Sequence, residues 1–432
     1  MVGSTLTGFD AYLKDNYTKD EVGLLVNEDH NFLDDLDTAR RGTGRRWIVP
    51  IIDANAQGLG ATVPDAQFGA EQTQGGNIQG AAWTVNWGDY SAHVDIGDKV
   101  MAASASDMGA FFEDKKAEID SLYRAWGDTF SSYMLRDAGH SLGSGTNAGG
   151  VQTLVNKADV VNFERGMTVI VSANDGTSTA HVILAGALTG YVVNTNYAAG
   201  TFTVSATSGG AAGTPTNWAG TMFYFRGSQG GTGSATGDFG GSASPNRIIL
   251  GFGAWNPAAD PTSTAFEGVD RTLDIVRRSG IRLVAADVAG LGIEQRAKKL
   301  VVRMASRGKR PKNLYLHPEQ WQALADSLEG RGNRPIGDGG KFNFMSIQLA
   351  TPAGMVSIKS DRFMPIDACY ALDPDAIRFA TLDGFPKIVN GDGLTMLRKS
   401  NANVYEYRLA TYPAYVHRLP PATGRCPLLI PS

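Results

Sequence analysis

Apolar residues recur along the chain with two periods, and the periods divide it. Over Ser104–Gly139 they fall at Met108, Phe111, Phe112, Ile119, Leu122, Tyr123, Trp126, Phe130, Tyr133 and Met134. That is the i, i+3, i+4, i+7 spacing of one helical face. Ser104 or Ser106 can cap the start and Gly139 can end it, as N-cap hydroxyls and C-terminal glycines do. The spacing predicts a rod of about 45 Å, at ~1.5 Å per residue. Glu113, Asp114, Lys115, Lys116, Glu118 and Asp120 line its other side. A rod this long with one greasy side is a spine on which other elements pack. Before it, Trp83, Val85 and Trp87 alternate with polar residues, and Tyr90, Ala92, Val94 and Ile96 follow a break at Gly88-Asp89. Period two on either side of a glycine–acid pair predicts a hairpin. A lone hairpin is marginal, so this one must lie on a neighbour.

Short β-branched and aromatic runs follow the spine at Val169–Ser172, His181–Leu184, Gly190–Val193, Thr201–Ser205 and Thr221–Arg226, with turn residues between them. They predict a small barrel or sandwich. Ser141–Gly150 reads as a linker leading in, and Gly227–Ser244 as a glycine-serine exit. Helices are predicted at Glu267–Ser279, with a Thr264/Glu267 capping box and Gly280 as stop, at Gly292–Arg307 with a basic exit, and at Glu319–Leu328 opened by Pro318. Strands are predicted at Arg247–Phe252, Asn313–Leu316, Met355–Lys359, Ala368–Leu372, Ala376–Ala380, Leu394–Lys399 and Asn403–Tyr412. Pro420–Ser432 reads as an extended tail. At the other end, Phe9–Tyr17 is a short helix candidate, Val22–Leu36 mixes apolar and acidic residues, and Arg40, Arg41, Arg45 and Arg46 cluster around Gly42 and Gly44.

Composition narrows the class. Of 432 residues 53 are glycine, above the usual ~7%. Charged residues make up 19% and the formal net charge is −4, too balanced for the whole chain to bind nucleic acid or an anionic membrane through charge. Cys369 and Cys426 are the only cysteines, which excludes a disulfide scaffold and a cysteine-rich zinc module. The longest apolar run, His181–Val193, is too short for a membrane span. The first residues lack the basic-then-apolar pattern of a secretory signal. Trp47–Asp98 holds no lysine or arginine but carries Asp53, Asp65, Glu71, Asp89, Asp95 and Asp98.

Active-site grammar is sparse. Gly308-Lys309 and Gly340-Lys341 lack the rest of a phosphate loop, and no dinucleotide fingerprint or nucleophile elbow sits at a strand-to-helix turn. His30, His93, His140, His181, His317 and His417 are scattered without metal-ligand spacing. No catalytic residue, metal or cofactor is expected. Asp373, Asp375, Asp383, Asn390 and Asp392 have oxygens suited to calcium, but turn chemistry is the preferred reading because no bidentate glutamate follows. The Arg40–Arg46 cluster is read either as a nucleic-acid contact or, preferably, as an arm pairing with acids of a neighbouring subunit, since no aromatics interleave it. Trp83 and Trp87 are read as a sugar platform or, preferably, as a hydrophobic anchor.

The order of parts is itself informative. Arm, charge-poor hairpin, spine helix, inserted β module, α/β section and terminal strands resemble the major capsid protein of tailed bacteriophages, the Hong Kong 97-type fold. The segments that carry the resemblance are KNLYLHPEQWQALADS (Lys312–Ser327), DRFMPIDACYALDPDAIRF (Asp361–Phe379) and YMLRDAGHSLGSGT (Tyr133–Thr146). The resemblance implies an α+β fold divided into an N-terminal arm (1–50), an extended hairpin loop (51–103), the spine helix and part of a peripheral domain (104–150), an inserted barrel-like module (151–228), a glycine-rich linker with a return strand (229–270), a mainly axial domain (271–390), and peripheral strands with the tail (391–432).

It further implies hexamers and pentamers in an icosahedral shell that encloses DNA without reading its sequence, in a virion assembled in the host cytoplasm. Scaffolding, portal and decoration proteins are the expected partners, and no membrane. Because Trp47–Asp98 has no lysine, a covalent cross-link from that loop is not expected; because few residues precede the hairpin and the chain begins at Met1, scaffolding is expected from a separate protein. The residues expected at inter-subunit contacts are Arg40, Arg41, Arg45, Arg46, Asp65, Glu71, Trp83, Trp87, Asp89, Arg331 and Arg334. The rival readings are an encapsulin-like nanocompartment shell, a β-rich carbohydrate-binding or adhesin protein, and a hydrolase with a non-local site.

Overall fold

The computed structural model describes residues 31–36, 40–56, 77–99, 114–137, 139–175, 189–215, 218, 220–230, 234–237, 249–262, 266–329, 347–351, 354–389, 396–400 and 402–430. The described chain falls into two compact units, a smaller one from Ser91–Gly127 and Ile388–Leu409 and a larger one from Asp29–Tyr90, Asp128–Lys387 and Ala410–Ser432. Among the described residues no helix is long and apolar enough to cross a membrane.

In the smaller unit, Leu397–Arg398 runs antiparallel to Val404–Thr411, with Leu397 opposite Glu406. Val404–Thr411 also pairs with Tyr90–Gly97. Polar side chains tie these strands: Lys399 meets Asp95, and Asn403 donates to Asp98 at 2.8 Å. The Tyr123 and Tyr407 hydroxyls lie 3.2 Å apart.

The spine helix is described over Asp114–Leu135, about 33 Å at ~1.5 Å per residue; the expected turns at Ser104–Glu113 lie outside the described residues. Phe130, Tyr133, Met134 and Leu135 are fully buried at its C-terminal end. The helix stops at Leu135 rather than Gly139. His140 then sits at φ 54°, a left-handed turn that redirects the chain. Arg136 fixes that exit by donating to Ser141 O and Asp159 Oδ1, both at 2.7 Å.

The predicted β module is a closed barrel. Going round it, Gly143–Ala148, Val151–Leu154, Thr201–Ser205, Gly190–Asn196, Thr168–Ser172 and Thr221–Gly230 are each paired to the next, and the last strand pairs back to the first. Such a small barrel is filled by its own side chains. Here Phe163 stacks on Phe202 at 4.1 Å, and Tyr224 meets Phe202 edge-on at 5.2 Å. The Tyr224 hydroxyl donates to buried Gln152, whose amide donates to Asn147. The Ser141–Gly150 linker is therefore a correction: most of it is the first barrel strand. Its glycines permit close packing, since a Cβ on Gly145 would lie 2.3 Å from the Thr153 carbonyl oxygen. The exit also begins as structure, because Thr221–Gly230 turns back on Ser234–Gly237. The strand expected at His181–Leu184 lies outside the described residues.

The main core is a six-stranded mixed sheet ordered Ile281–Arg282, Thr423–Pro427, Ala368–Leu372, Asn313–Leu316, Gly354–Ser360, Ile347–Thr351. The helices Ile293–Ser306 and Pro318–Glu329 send Leu300, Val301, Met304 and Leu324 into one cluster with Leu314, Leu316, Val356 and Ile358. The tail read as merely extended supplies the strand Thr423–Pro427, which places Cys426 opposite Cys369. Two helix–strand expectations fail for local reasons. Arg247–Phe252 is not a strand where described: Gly251 presses so closely on the spine exit that a Cβ would lie 2.1 Å from Arg136 O, and Phe252–Trp255 is a helical turn. Glu267–Ser279 is helical only from Ile275, because Glu267 and Gly268 are both left-handed (φ 47° and 83°) in a tight turn where Phe266 and Val269 exchange backbone hydrogen bonds. The cap is Asp274, whose carboxylate accepts from Arg277 N at 2.8 Å.

Candidate assembly surface

The hairpin exists, with different partners. Gln79–Asn86 pairs antiparallel with Arg46–Ala54, placing Val49 opposite Trp83 and Trp47 opposite Val85. Tyr90–Gly97 belongs to the other unit's sheet. The expected Trp83–Ile96 hairpin around Gly88-Asp89 is thus a correction: the chain leaves the ladder at Trp87–Asp89, where Gly88 N donates to Pro413 O at 2.9 Å. The run Trp47-Ile48-Val49-Pro50-Ile51-Ile52, apolar on both faces, is the signal for this first strand.

The hairpin's two faces have different fates. On the inner one, Trp83 is fully buried and Val85 nearly so. Trp83 packs edge-on against Trp255 at 5.1 Å and Phe266 at 6.2 Å. Thr84 N donates to Glu267 O at 2.8 Å, tying the strand to the tight turn. At the base, Asp53 pairs with Arg278, both side chains about one-tenth exposed, and Arg277 donates to the Asp53 carbonyl at 2.6 Å. On the outer face, Ile48 is 61% and Ile52 71% exposed, and Ile78 beside them is 63% exposed. Arg46 and Pro50 share that open side.

The arginine segment is bound into the larger unit. Arg40–Arg41 forms a short parallel pair with Ala380–Thr381, and Gly42 N donates to Thr381 O at 2.6 Å. Trp87 closes over this turn: its indole N–H donates to Gly44 O at 3.0 Å, and its ring stacks on Trp47 at 6.3 Å with 7° between planes. Gly42 is required there, since a Cβ would lie 2.0 Å from the Trp87 ring. Arg41, Arg45, Arg46 and Asp89 remain exposed.

The expected contact residues therefore separate. Trp83 is corrected: wholly buried within its own subunit, it cannot reach another. Trp87 packs first on its own chain. Arg41, Arg45, Arg46 and Asp89 are available to a partner. Arg40 is placed by its backbone, and Asp65, Glu71, Arg331 and Arg334 lie outside the described residues. Three loop acids have partners in the chain itself, Asp53 with Arg278, Asp95 with Lys399 and Asp98 with Asn403. The outward isoleucines were missed, because sequence shows an apolar run without showing which half is covered.

The remaining candidates have structural employment. Asp373 and Asp375 hold Lys312 at 3.0 and 2.6 Å, and Asp383 pairs with Lys387. His317 lines a cleft of about 780 Å³ between the barrel and the helix Pro318–Glu329. Burial, aided by the positive charge of Arg136, lowers its pKa to about 4. Burial alone lowers that of His417 to about 3, beside the Tyr415 hydroxyl at 2.9 Å.

An unfolded histidine binds its proton near ~6.5, but folded His317 resists it until about 4. Its contribution is full above ~6.5 and is lost as pH falls toward the folded value. At ~1.4 kcal/mol per pH unit, wild type should lose about 2 kcal/mol relative to His317→Gln between pH 7 and 5. Urea denaturation of both proteins at the two pH values measures the difference.

No protein-family model matches the chain, and no curated protein matches it. Solved structures do. The chain is similar to a protein of the cyanophage A-1(L) capsid asymmetric unit, with a TM-score of 0.55 and 12% identity over 96% of each chain. It is also similar to the capsid protein of an empty GTA particle, with a TM-score of 0.51 and 8% identity over 99% of each chain. At these identities the likeness is one of fold, and it runs the length of the chain.

Proposed function

We propose that the chain is a major capsid protein, a non-catalytic subunit that self-assembles into the icosahedral head shell around the double-stranded DNA of a tailed phage. The observation that carries the reading is the outer face of the hairpin, where Ile48 and Ile52 stand open to water on a strand whose inner-face residues Trp47, Val49 and Ile51 are half-buried. Burying an isoleucine against a neighbour contributes ~1.5–3 kcal/mol. A two-stranded ribbon exposing such residues is finished by another copy. The end-to-end likeness to two capsid structures supports the same reading.

In this proposal the fold is of the Hong Kong 97 type. The hairpin is the extended loop, Asp114–Leu135 the spine, the six-stranded sheet with its helices the axial domain, and the barrel an insertion. Arg45 and Arg46, exposed at the start of the same strand, and Asp89, exposed where the chain leaves the hairpin, set register through charge, which governs specificity more than affinity. Each copy makes several modest contacts, and ring closure multiplies them. The shell is assembled in the host cytoplasm with a scaffolding protein and a portal, and resides in the virion.

The hairpin face is tested by the double substitution Ile48→Asp with Ile52→Asp. Surface changes of this kind leave subunit stability within about 0.5 kcal/mol, so thermal melting of the unassembled protein should be unchanged while sedimentation shows no shells. Shells in normal yield would refute the assigned role. Shells packed with protein and free of DNA would support the nanocompartment reading instead.

A further inference from the structure

Residues 295–312 contain no acid and eight cations: Arg296, Lys298, Lys299, Arg303, Arg307, Lys309, Arg310 and Lys312. Five of them are engaged locally. Arg296 donates to Leu291 O and Pro427 O, Lys298 pairs with Glu294, Lys299 donates to Asp287 O, Arg303 pairs with Asp287, and Lys312 pairs with Asp373 and Asp375. The other three, Arg307, Lys309 and Arg310, have no carboxylate partner among the described residues. They occupy one turn, with Arg307 and Arg310 exposed and Lys309 half-buried.

The turn is rigid. It closes the helix Ile293–Ser306 with paired hydrogen bonds, Gly308 N to Ala305 O at 2.9 Å and Lys309 N to Met304 O at 3.0 Å, with Gly308 at φ 74°. This is the Schellman arrangement, and buried Pro311 stiffens the way out. Cations near a helix C-terminus complement its dipole. That accounts for Arg303 and Arg307, but Lys309 and Arg310 lie past the helix end. The turn itself carries no aromatic or amide side chain, so what it offers a partner is positive charge, which positions phosphates, rather than an apolar protein contact.

We propose that the turn Arg307–Arg310 binds the phosphate backbone of double-stranded DNA without sequence preference. The inference rests on the reading of the chain as the shell of a DNA-filled head, and names where that shell touches its contents.

The test uses the purified full-length protein and fluorescence anisotropy with two 30-base-pair duplexes of unrelated sequence, from 50 to 200 mM KCl. Each neutralised phosphate adds ~0.9 to the slope of log K against log salt. The triple variant R307Q/K309Q/R310Q should therefore bind both duplexes with a slope shallower by about 2.7. The control K157Q/R165Q/R418Q removes the same charge from exposed positions elsewhere and should keep the wild-type slope. An unchanged slope in the first variant, or an equal change in the control, would overturn the proposal. So would a loss confined to a poly-glutamate probe, which would assign the turn to an acidic polypeptide. Electron microscopy of the same preparations separates the two readings. Wild type and variant shells with equal slopes refute only the turn, whereas the absence of wild-type shells under native assembly conditions, scaffold supplied, refutes the capsid reading on its own.

Discussion

Trp83→Ala should destabilise the unassembled subunit by about 3–5 kcal/mol, the usual cost of truncating a buried large aromatic. The ring is fully buried and forms an edge-to-face triad with Trp255 and Phe266, whose own centroids lie 5.1 Å apart at 89°. Arg271 caps the triad, its guanidinium 3.6 Å from the Phe266 centroid. Alanine would leave a cavity between three elements far apart in sequence: the hairpin, the helical turn Phe252–Trp255 and the tight turn at Glu267-Gly268. None can collapse without moving the others. Urea denaturation of protein kept below its assembly concentration measures the effect. A variant with unchanged subunit stability that fails only at assembly would return Trp83 to the inter-subunit role expected from its sequence.

The second large effect belongs to Asp53. Its carboxylate faces Arg278 where both are about one-tenth exposed, and Arg278 also donates to the Asp270 carbonyl at 2.7 Å. Removing one member of a buried pair leaves an uncompensated charge and costs about 3–5 kcal/mol, while replacing both with apolar groups costs far less. Asp53→Ala should therefore be strongly destabilising, and Asp53→Ala with Arg278→Met should recover most of the loss. A double-mutant cycle by chemical denaturation decides it. Additive losses would mean that the pair is not coupled and that the hairpin base is held by backbone bonds alone.

Much of the fold was legible because its elements carry strong local signals. The spine reads from Ile119 to Met134 at helical spacing, the barrel from short β-branched runs, and the helix opened by Pro318 from that proline and Trp321. What failed was long-range or conformational. Nothing in the sequence of Trp83–Ile96 says that its two strands belong to different sheets, since period two fixes a face and not a partner. GSGTNA at Gly143–Ala148 has linker composition, yet its small residues are what lets barrel strands approach closely. The capping-box pattern at Thr264 and Glu267 was overruled by a left-handed Glu267, a conformation that propensity cannot anticipate. At the candidate surface, sequence located one strand of the hairpin and the arginine segment, but gave that strand the wrong partner and placed both tryptophans at a contact with another subunit. It took large aromatics on an apparently unsupported ribbon as exposed, when Trp255 and Phe266, distant in sequence, supply the support. The outward-facing Ile48 and Ile52 were hidden inside an apolar run that looked like core.

The proposed function requires that this chain build a closed shell from copies of itself. Electron microscopy of the purified wild-type protein under native assembly conditions, with its scaffold where needed, tests it most directly. Closed icosahedral particles with fivefold and sixfold clusters of subunits are expected. A stable monomer that remains soluble and unassembled under every such condition would contradict it.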